Sequence, residues 1–193
     1  MSVPAQLVLA SGSPRRKSLL RQLDVRFRVL PLDIDESRQA GESPATYVVR
    51  LARAKAAAGW DLAGDRLPVL GADTAVVIGQ RILGKPADPA EARAMLSTLS
   101  GRAHQVYSAI ALATGADTIS DRLNVTRVEF SILPEVWIDA YCATDEPMDK
   151  AGAYAIQGGA AAHIRRIEGS FSGVMGLPLF ETAELLRTAG LLA

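Results

Sequence analysis

The sequence predicts an α/β fold: a mixed, twisted sheet with flanking helices. Three features predict it. Short apolar runs of strand length interleave with helical stretches that open on a cap residue followed by proline. A long hairpin sits among those crossovers, which a purely parallel, doubly wound sheet would lack. No repeat, low-complexity tract or Gly/Ser-rich linker divides the chain. Its 193 residues fit one domain of ordinary size, or one domain folded as two lobes, and 1–193 is read as a single domain.

Leu7-Val8-Leu9-Ala10 reads as a buried strand. Ser11-Gly12-Ser13-Pro14 breaks it, with Ser13 as N-cap and Pro14 at the first helical position. Leu19, Leu20 and Leu23 supply the apolar stripe of that helix. Phe27 to Leu32 reads as a second strand, followed by the acidic loop Asp33-Ile34-Asp35-Glu36. Ser43-Pro44 opens another helix, expected to run to about Gly59. Val69 to Ile78 is a strand carrying Gly71-Ala72-Asp73-Thr74 in its middle, and Gly79-Gln80 turns it into a short strand, Arg81 to Leu83.

Asp88-Pro89-x-Glu91 opens a helix that ends before Ser100-Gly101. His104 to Ala113 and Thr118 to Leu133 form the hairpin, turned at Gly115-Ala116-Asp117. Pro134 to Tyr141 is a short helix, Ala160 to Ile167 a strand, and Leu179 to Thr188 a closing helix stopped by Gly190.

Composition excludes several classes. Hydrophobic residues make up 49% of the chain and aromatics only 5%, so Ala, Leu, Val and Ile must fill the core. Lys+Arg and Asp+Glu both number 21, and a nucleic-acid binder would show a basic excess. Any anion site must come from local placement of charge. One cysteine, Cys142, precludes an intrachain disulfide and fits a reducing compartment. Met1-Ser2-Val3-Pro4 lacks the basic start of a signal peptide, and no run reaches the ~18 apolar residues that span a bilayer. The expectation is a soluble, cytoplasmic protein without a membrane partner.

Five groups of residues carry candidate chemistry. Ser11-Gly12-Ser13-Pro14-Arg15-Arg16-Lys17 places three cations in the first turn of a helix, whose N–H groups and dipole already favour an anion. Basic residues there oppose the dipole, so a purely structural helix gains nothing from them. The loop is not a Walker A motif, because the second glycine and its lysine are absent. Asp73 interrupts a greasy strand, where an ionised carboxylate is costly unless it is paired or holds a metal. It reads either as a capped strand end or as a carboxylate that binds a divalent cation or takes a proton from water.

Glu36 in the acidic loop is a second candidate metal carboxylate, since magnesium takes one or two carboxylates plus phosphates and water; the same loop can be simply solvated. Lys55 follows Leu51 by four residues on the face formed by Tyr47, Val48, Leu51 and Ala52, while Arg50 and Arg53 point elsewhere. It either snorkels to water or lines a cleft and meets phosphate. Lys85-Pro86 follows the short hairpin after Asp73. Thr74, Gln157 and Gly158-Gly159 are weak candidates for base or sugar contacts. His104 and His163 lie in predicted strands without a second ligand at short spacing and read as core or surface histidines. Cys142 reads as a buried structural thiol.

Together these stretches resemble the Maf family of nucleotide pyrophosphatases. The resemblance rests on Leu9-Ala10-Ser11-Gly12-Ser13-Pro14-Arg15-Arg16, on Tyr47 through Lys55, on Gly71-Ala72-Asp73-Thr74, on Lys85-Pro86 and on Ser100-Gly101-x-x-His104-x-Val106. Asp145-Glu146-Pro147-x-Asp149-Lys150-Ala151-Gly152-Ala153-Tyr154 and Gly176-Leu177-Pro178-Leu179 complete it, in family order over nearly the whole chain. It departs at Ser108, where members commonly have Thr, and at Gly173, where Asn or a larger polar residue is common.

The resemblance implies an elongated, two-lobed Maf/ITPase-like fold with a deep central cleft, often dimeric, so a homodimer is expected. It implies cleavage between the α- and β-phosphates of a nucleoside triphosphate, aided by Mg2+ or Mn2+. Asp73 becomes the proton acceptor, and Glu36, Lys55 and Lys85 further catalytic residues, with Glu36 and Asp73 holding the metal. Ser11, Ser13, Arg15, Arg16, Thr74 and Gln157 become substrate contacts. Arg15, Thr74 and Gln157 match the branch that prefers dTTP and UTP, and members are linked to clearing modified nucleotides and to division arrest. The alternative is a non-catalytic nucleotide-binding regulator linked to cell division.

Overall fold

A computed structural model describes residues 4–192. The opening Met1-Ser2-Val3, part of the stretch read as lacking a signal-peptide start, lies outside them. The strands are β1 (Leu7–Ala10), β2 (Phe27–Val29), β3 (Val69–Ile78), β4 (Arg81–Leu83), β5 (Ala103–Gly115), β6 (Thr118–Phe130) and β7 (Ile164–Glu168). The α-helices are α1 (Pro14–Arg21), α2 (Pro44–Ala63), α3 (Pro89–Leu99), α4 (Glu135–Cys142), α5 (Phe171–Met175) and α6 (Leu179–Thr188). The strands pair in the order β2-β1-β3-β5-β6-β7, with β4 on β3. β1 lies parallel to β2 and β3, whereas β4 and β7 pair antiparallel with β3 and β6, so the sheet is mixed as expected.

The chain forms two compact units. One comprises Met1–Asp73, Ser108–Asn124 and Gly176–Ala193; the other comprises Thr74–Tyr107 and Val125–Met175. In the first, β1 is buried throughout, and Leu19 and Leu20 of α1 with Val48, Leu51, Ala52 and Ala56 of α2 join the buried core. Leu23 does not belong to the helical stripe, because α1 ends at Arg21 and Leu23 sits half-buried in the turn beyond. β2 stops at Val29 because, although Leu30 still donates its N–H to the Leu9 carbonyl at 2.9 Å, Pro31 has no N–H to continue the ladder.

α2 runs past Gly59, to Ala63. Gly59 is a packing residue and not a stop: a β-carbon there would lie 2.6 Å from the Val69 side chain and 3.1 Å from Ala10. The helix ends instead on Gly64, in the left-handed conformation (φ 71°) that a residue without a β-carbon adopts most readily.

In the second unit, α3 opens on Asp88, whose Oδ1 accepts the Glu91 N–H at 2.8 Å, while Glu91 Oε2 accepts the Ala87 N–H at 2.7 Å. The two satisfy amide groups at the helix start reciprocally. Leu96, Leu99, Val106, Val128, Phe130 and Ile138 build the core. The expected strand from Ala160 begins only at Ile164, since Gly159–His163 coils into a 3-10 turn. Ala160-Ala161-Ala162 lack the branched or aromatic side chains that favour a strand. Cys142 is buried, and burial pushes its thiol above the ordinary value.

His104 is sealed in this core. Its ring stacks on Phe130 with centroids 5.5 Å apart, and Nε2 meets the Tyr154 hydroxyl at 2.8 Å. Burial lowers its pKa to about 4. An unfolded histidine takes up its proton near pH 6.5. Between those values the unfolded chain binds more protons than the native one, so stability falls as pH drops from about 6.5 toward 4. At about 1.4 kcal/mol per pH unit, this histidine accounts for about 2 kcal/mol of the loss between pH 7 and pH 5. Denaturant unfolding at the two pH values should show that loss shrinking by this amount in His104→Leu; an unchanged loss would assign it to other groups.

Candidate active site

The site is built on the first unit. At its centre Asp73 stands near the middle of β3, buried among Leu70, Ala72 and Ala75. Lys55 reaches it from α2, placing Nζ 2.7 Å from Asp73 Oδ1 and 2.6 Å from Glu36 Oε1. The Lys55 and Asp73 side chains are 10% and 9% exposed, whereas Glu36 is 50% exposed. One buried ammonium thus bridges a buried carboxylate and one that opens to solvent. Lys55 is buried and does not snorkel to water. Burial pushes the Asp73 carboxyl above its usual range, and the charges of Lys55 and Arg16 oppose that push.

The contact between α2 and β3 depends on glycine. A β-carbon on Gly71 would lie 2.3 Å from the Ala52 carbonyl oxygen and 2.6 Å from the Ala56 nitrogen. Helix backbone therefore lies directly on the strand, with small residues on both sides. That close approach lets the Lys55 side chain, one turn beyond Leu51, meet Asp73 two residues along the strand.

The β1–α1 loop supplies the cationic side. Ser13 caps α1, accepting the Arg16 N–H at 3.5 Å, so its hydroxyl serves the helix start. The Ser11 hydroxyl accepts from the Ser13 N–H at 3.2 Å and from Arg16 Nη1 at 3.3 Å. Arg16 Nε donates to the Gly176 carbonyl at 2.8 Å. Burial lowers the Arg16 pKa; Asp73 and Glu36 act against that and Arg15 with it, so all four charges feel one another.

The structure therefore brings together Glu36, Lys55 and Asp73 by contact, and Ser11, Arg15 and Arg16 around the same helix start. Thr74 follows Asp73 on β3, where adjacent side chains point to opposite faces. Lys85 and Gln157 are exposed residues of the other unit.

Sequence reasoning missed the support of Glu36. The Tyr47 hydroxyl donates to the Glu36 carbonyl at 3.0 Å. Arg50 grips the Glu42 carboxylate at 2.7 and 2.9 Å and the Ser37 carbonyl at 3.0 Å. The signal was present in part: Tyr47, Leu51 and Lys55 recur every four residues on one helical face. Nothing local marks Glu42 as Arg50's partner.

The donor set suits a hard divalent cation. Two carboxylates, Glu36 and Asp73, converge on one positive charge, and Mg2+ or Mn2+ takes one or two carboxylates together with phosphate oxygens and water. Among the described residues no cluster of three or more His, Cys, Asp or Glu side chains forms a protein-only cage. A cation held here would complete its coordination with phosphate oxygens or water.

Fold and site define a mixed α/β protein with a buried acid paired to a buried lysine, and a cationic helix start. The chain belongs to the Maf family: the family model described as Maf-like protein matches residues 6–189. It is 52% identical over 187 residues to the dTTP/UTP pyrophosphatase of Xanthomonas euvesicatoria pv. vesicatoria, covering 95% of this chain and 98% of that protein. The protein of the same name from Methylobacillus flagellatus is 52% identical over 186 residues, 96% of this chain and 93% of the other. Among solved structures, a HAM1 protein from Coxiella burnetii is similar with a TM-score of 0.46 and 22% identity, over 68% of this chain and 75% of that one.

Gly71→Ala forces α2 off β3. Overpacking of this kind costs about 1–3 kcal/mol, and here it also draws Lys55 away from Asp73. We expect a denaturant midpoint lowered accordingly and a kcat/KM that falls further than the loss of folded protein explains. Wild-type stability in that variant would show that the helix does not rest on the strand as described.

Proposed function

We propose that this chain hydrolyses dTTP and UTP, and modified pyrimidine nucleotides, to the monophosphate and pyrophosphate. The observation that carries the reading is the Lys55 ammonium held between Asp73 and Glu36. The relatives of about half-identical sequence, named dTTP/UTP pyrophosphatases, support it.

The chemistry follows from the charges. A triphosphate tail must be neutralised before water attacks phosphorus. Arg15, Arg16 and the positive end of the α1 dipole offer that at one end, with Ser11 and Ser13 shaping the loop. Glu36 and Asp73 would hold Mg2+ or Mn2+, which when bound supplies further positive charge to the phosphate oxygens. Asp73 takes the proton from the attacking water. Its burial favours that role, because a carboxylate kept above its usual pKa is a stronger base. Lys55 holds Asp73 in place and keeps it ionised. The bond between the α- and β-phosphates breaks and pyrophosphate leaves.

We assign Lys85 to the phosphates and Thr74 and Gln157 to the nucleoside, on the family resemblance. The same reading takes the chain as one Maf-like domain, acting in the cytoplasm as a homodimer without nucleic-acid or membrane partners. No helix of the described residues is long and apolar enough to cross a membrane.

Incubation of the purified protein with dTTP and magnesium tests the proposal. Pyrophosphate and dTMP are the expected products. Asp73→Asn keeps the shape and removes the base, and should lower kcat by about 100-fold or more. Tight nucleotide binding without pyrophosphate would point to a regulator, and release of orthophosphate to a different hydrolase; either result overturns the assignment.

A further inference from the structure

Glu36 lies in a stretch, residues 30–43, that has no helix or strand of its own. Its carboxylate nonetheless meets Lys55 at 2.6 Å while remaining half exposed. A loop without regular structure does not hold a side chain in register by itself, so the constraint must come from elsewhere.

It comes from one face of α2. Arg50 binds Glu42 through Nε to Oε1 at 2.7 Å and through Nη2 to Oε2 at 2.9 Å, a planar two-point grip. The same Nη2 donates to the Ser37 carbonyl at 3.0 Å. Glu42 is 7% exposed, and its Oε2 also accepts the Gln39 N–H at 3.1 Å. Arg38 closes the loop on itself, donating to the Glu42 carbonyl from Nε at 3.1 Å and Nη2 at 2.6 Å. Tyr47, one turn before Arg50, donates its hydroxyl to the carbonyl of Glu36 itself.

Backbone anchors therefore fall on Glu36 and on Ser37, the residue after it, and the far end of the loop is tied at Glu42. The anchors beside Glu36 and at Glu42 issue from α2, the helix that carries Lys55. Glu36 and Lys55 are thus referenced to one rigid element.

We propose that Tyr47, Arg50 and Glu42 are positioning residues that set the Glu36 carboxylate against Lys55 and Asp73. The proposal rests on the hydrolase reading above for its effect on turnover. Its structural half, that Arg50 and Tyr47 hold the loop, stands apart from that reading. An arginine that served only fold stability would bind Glu42 alone; this one also reaches the backbone beside Glu36.

A double-mutant cycle with Glu36 tests the proposal, using the full chain, dTTP and saturating magnesium. Displacing a positioned group by an ångström costs up to about 100-fold, so Arg50→Lys should lower kcat/KM by about 10- to 100-fold and the milder Tyr47→Phe by about 3- to 10-fold. In a Glu36→Gln background neither change should lower it by more than about twofold, because the group they position is already lost. Losses that multiply in that background would overturn the proposal.

Amide hydrogen exchange supplies a readout independent of turnover. The Ser37, Gln39 and Glu42 amides, which donate to Asp35, Glu42 and Gln39 respectively, should lose protection in Arg50→Lys while the α2 amides keep theirs. Unchanged protection of those loop amides would overturn it. If the wild-type protein releases no pyrophosphate from dTTP, the hydrolase reading fails, and exchange alone decides whether Arg50 holds the loop.

Discussion

One buried ammonium organises this protein. Lys55 and Asp73 are each about nine-tenths enclosed, and a lone charge in that setting would be untenable. Each makes the other tolerable. Glu36 gives the pair an opening to solvent, since it shares the ammonium but stays half exposed. An exposed ion pair would contribute little to stability. A fully enclosed one would have no access to substrate. This arrangement lies between the two.

Much of the surrounding structure serves that geometry. The absence of a side chain at Gly71 lets helix backbone rest on strand backbone, and Ala52 and Ala56 keep the helix side equally thin. Gly59 repeats the device one turn further on, against Val69 and Ala10. The chain carries no net charge, so nothing at long range draws an anion toward it. Positive charge is concentrated locally instead, where Arg15 and Arg16 stand at the start of α1 and the carboxylates of Asp73 and Glu36 temper the burial of Arg16.

The parts of the fold legible in sequence are those with local causes. Ser13-Pro14, Ser43-Pro44 and Asp88-Pro89 each mark a helix start through side-chain caps and the fixed φ of proline. β3 was bounded correctly at Val69 and Ile78 because apolar runs end abruptly there. Gly59 misled, because glycine as a helix stop and glycine as a packing residue look alike without the neighbouring strand. The strand expected from Ala160 failed because alanine carries little preference against a 3-10 turn. Asp73 and Lys55 stood out as charges in apolar company, a signal of cost that demands a partner. The Arg50–Glu42 grip was illegible, since a charge in the loop and one two turns into α2 announce no contact until the loop folds back on the helix.

The central claim is that Lys55 neutralises Asp73, and paired substitutions measure it most directly. Removing one partner of a buried ion pair costs about 3–5 kcal/mol, chiefly because the other charge is stranded. Lys55→Met should therefore lower the unfolding free energy at pH 7 by about 3 kcal/mol, and adding Asp73→Asn should restore at least about half of that loss. Losses that simply add in the double variant would mean that the two charges do not depend on each other, and the account would be wrong.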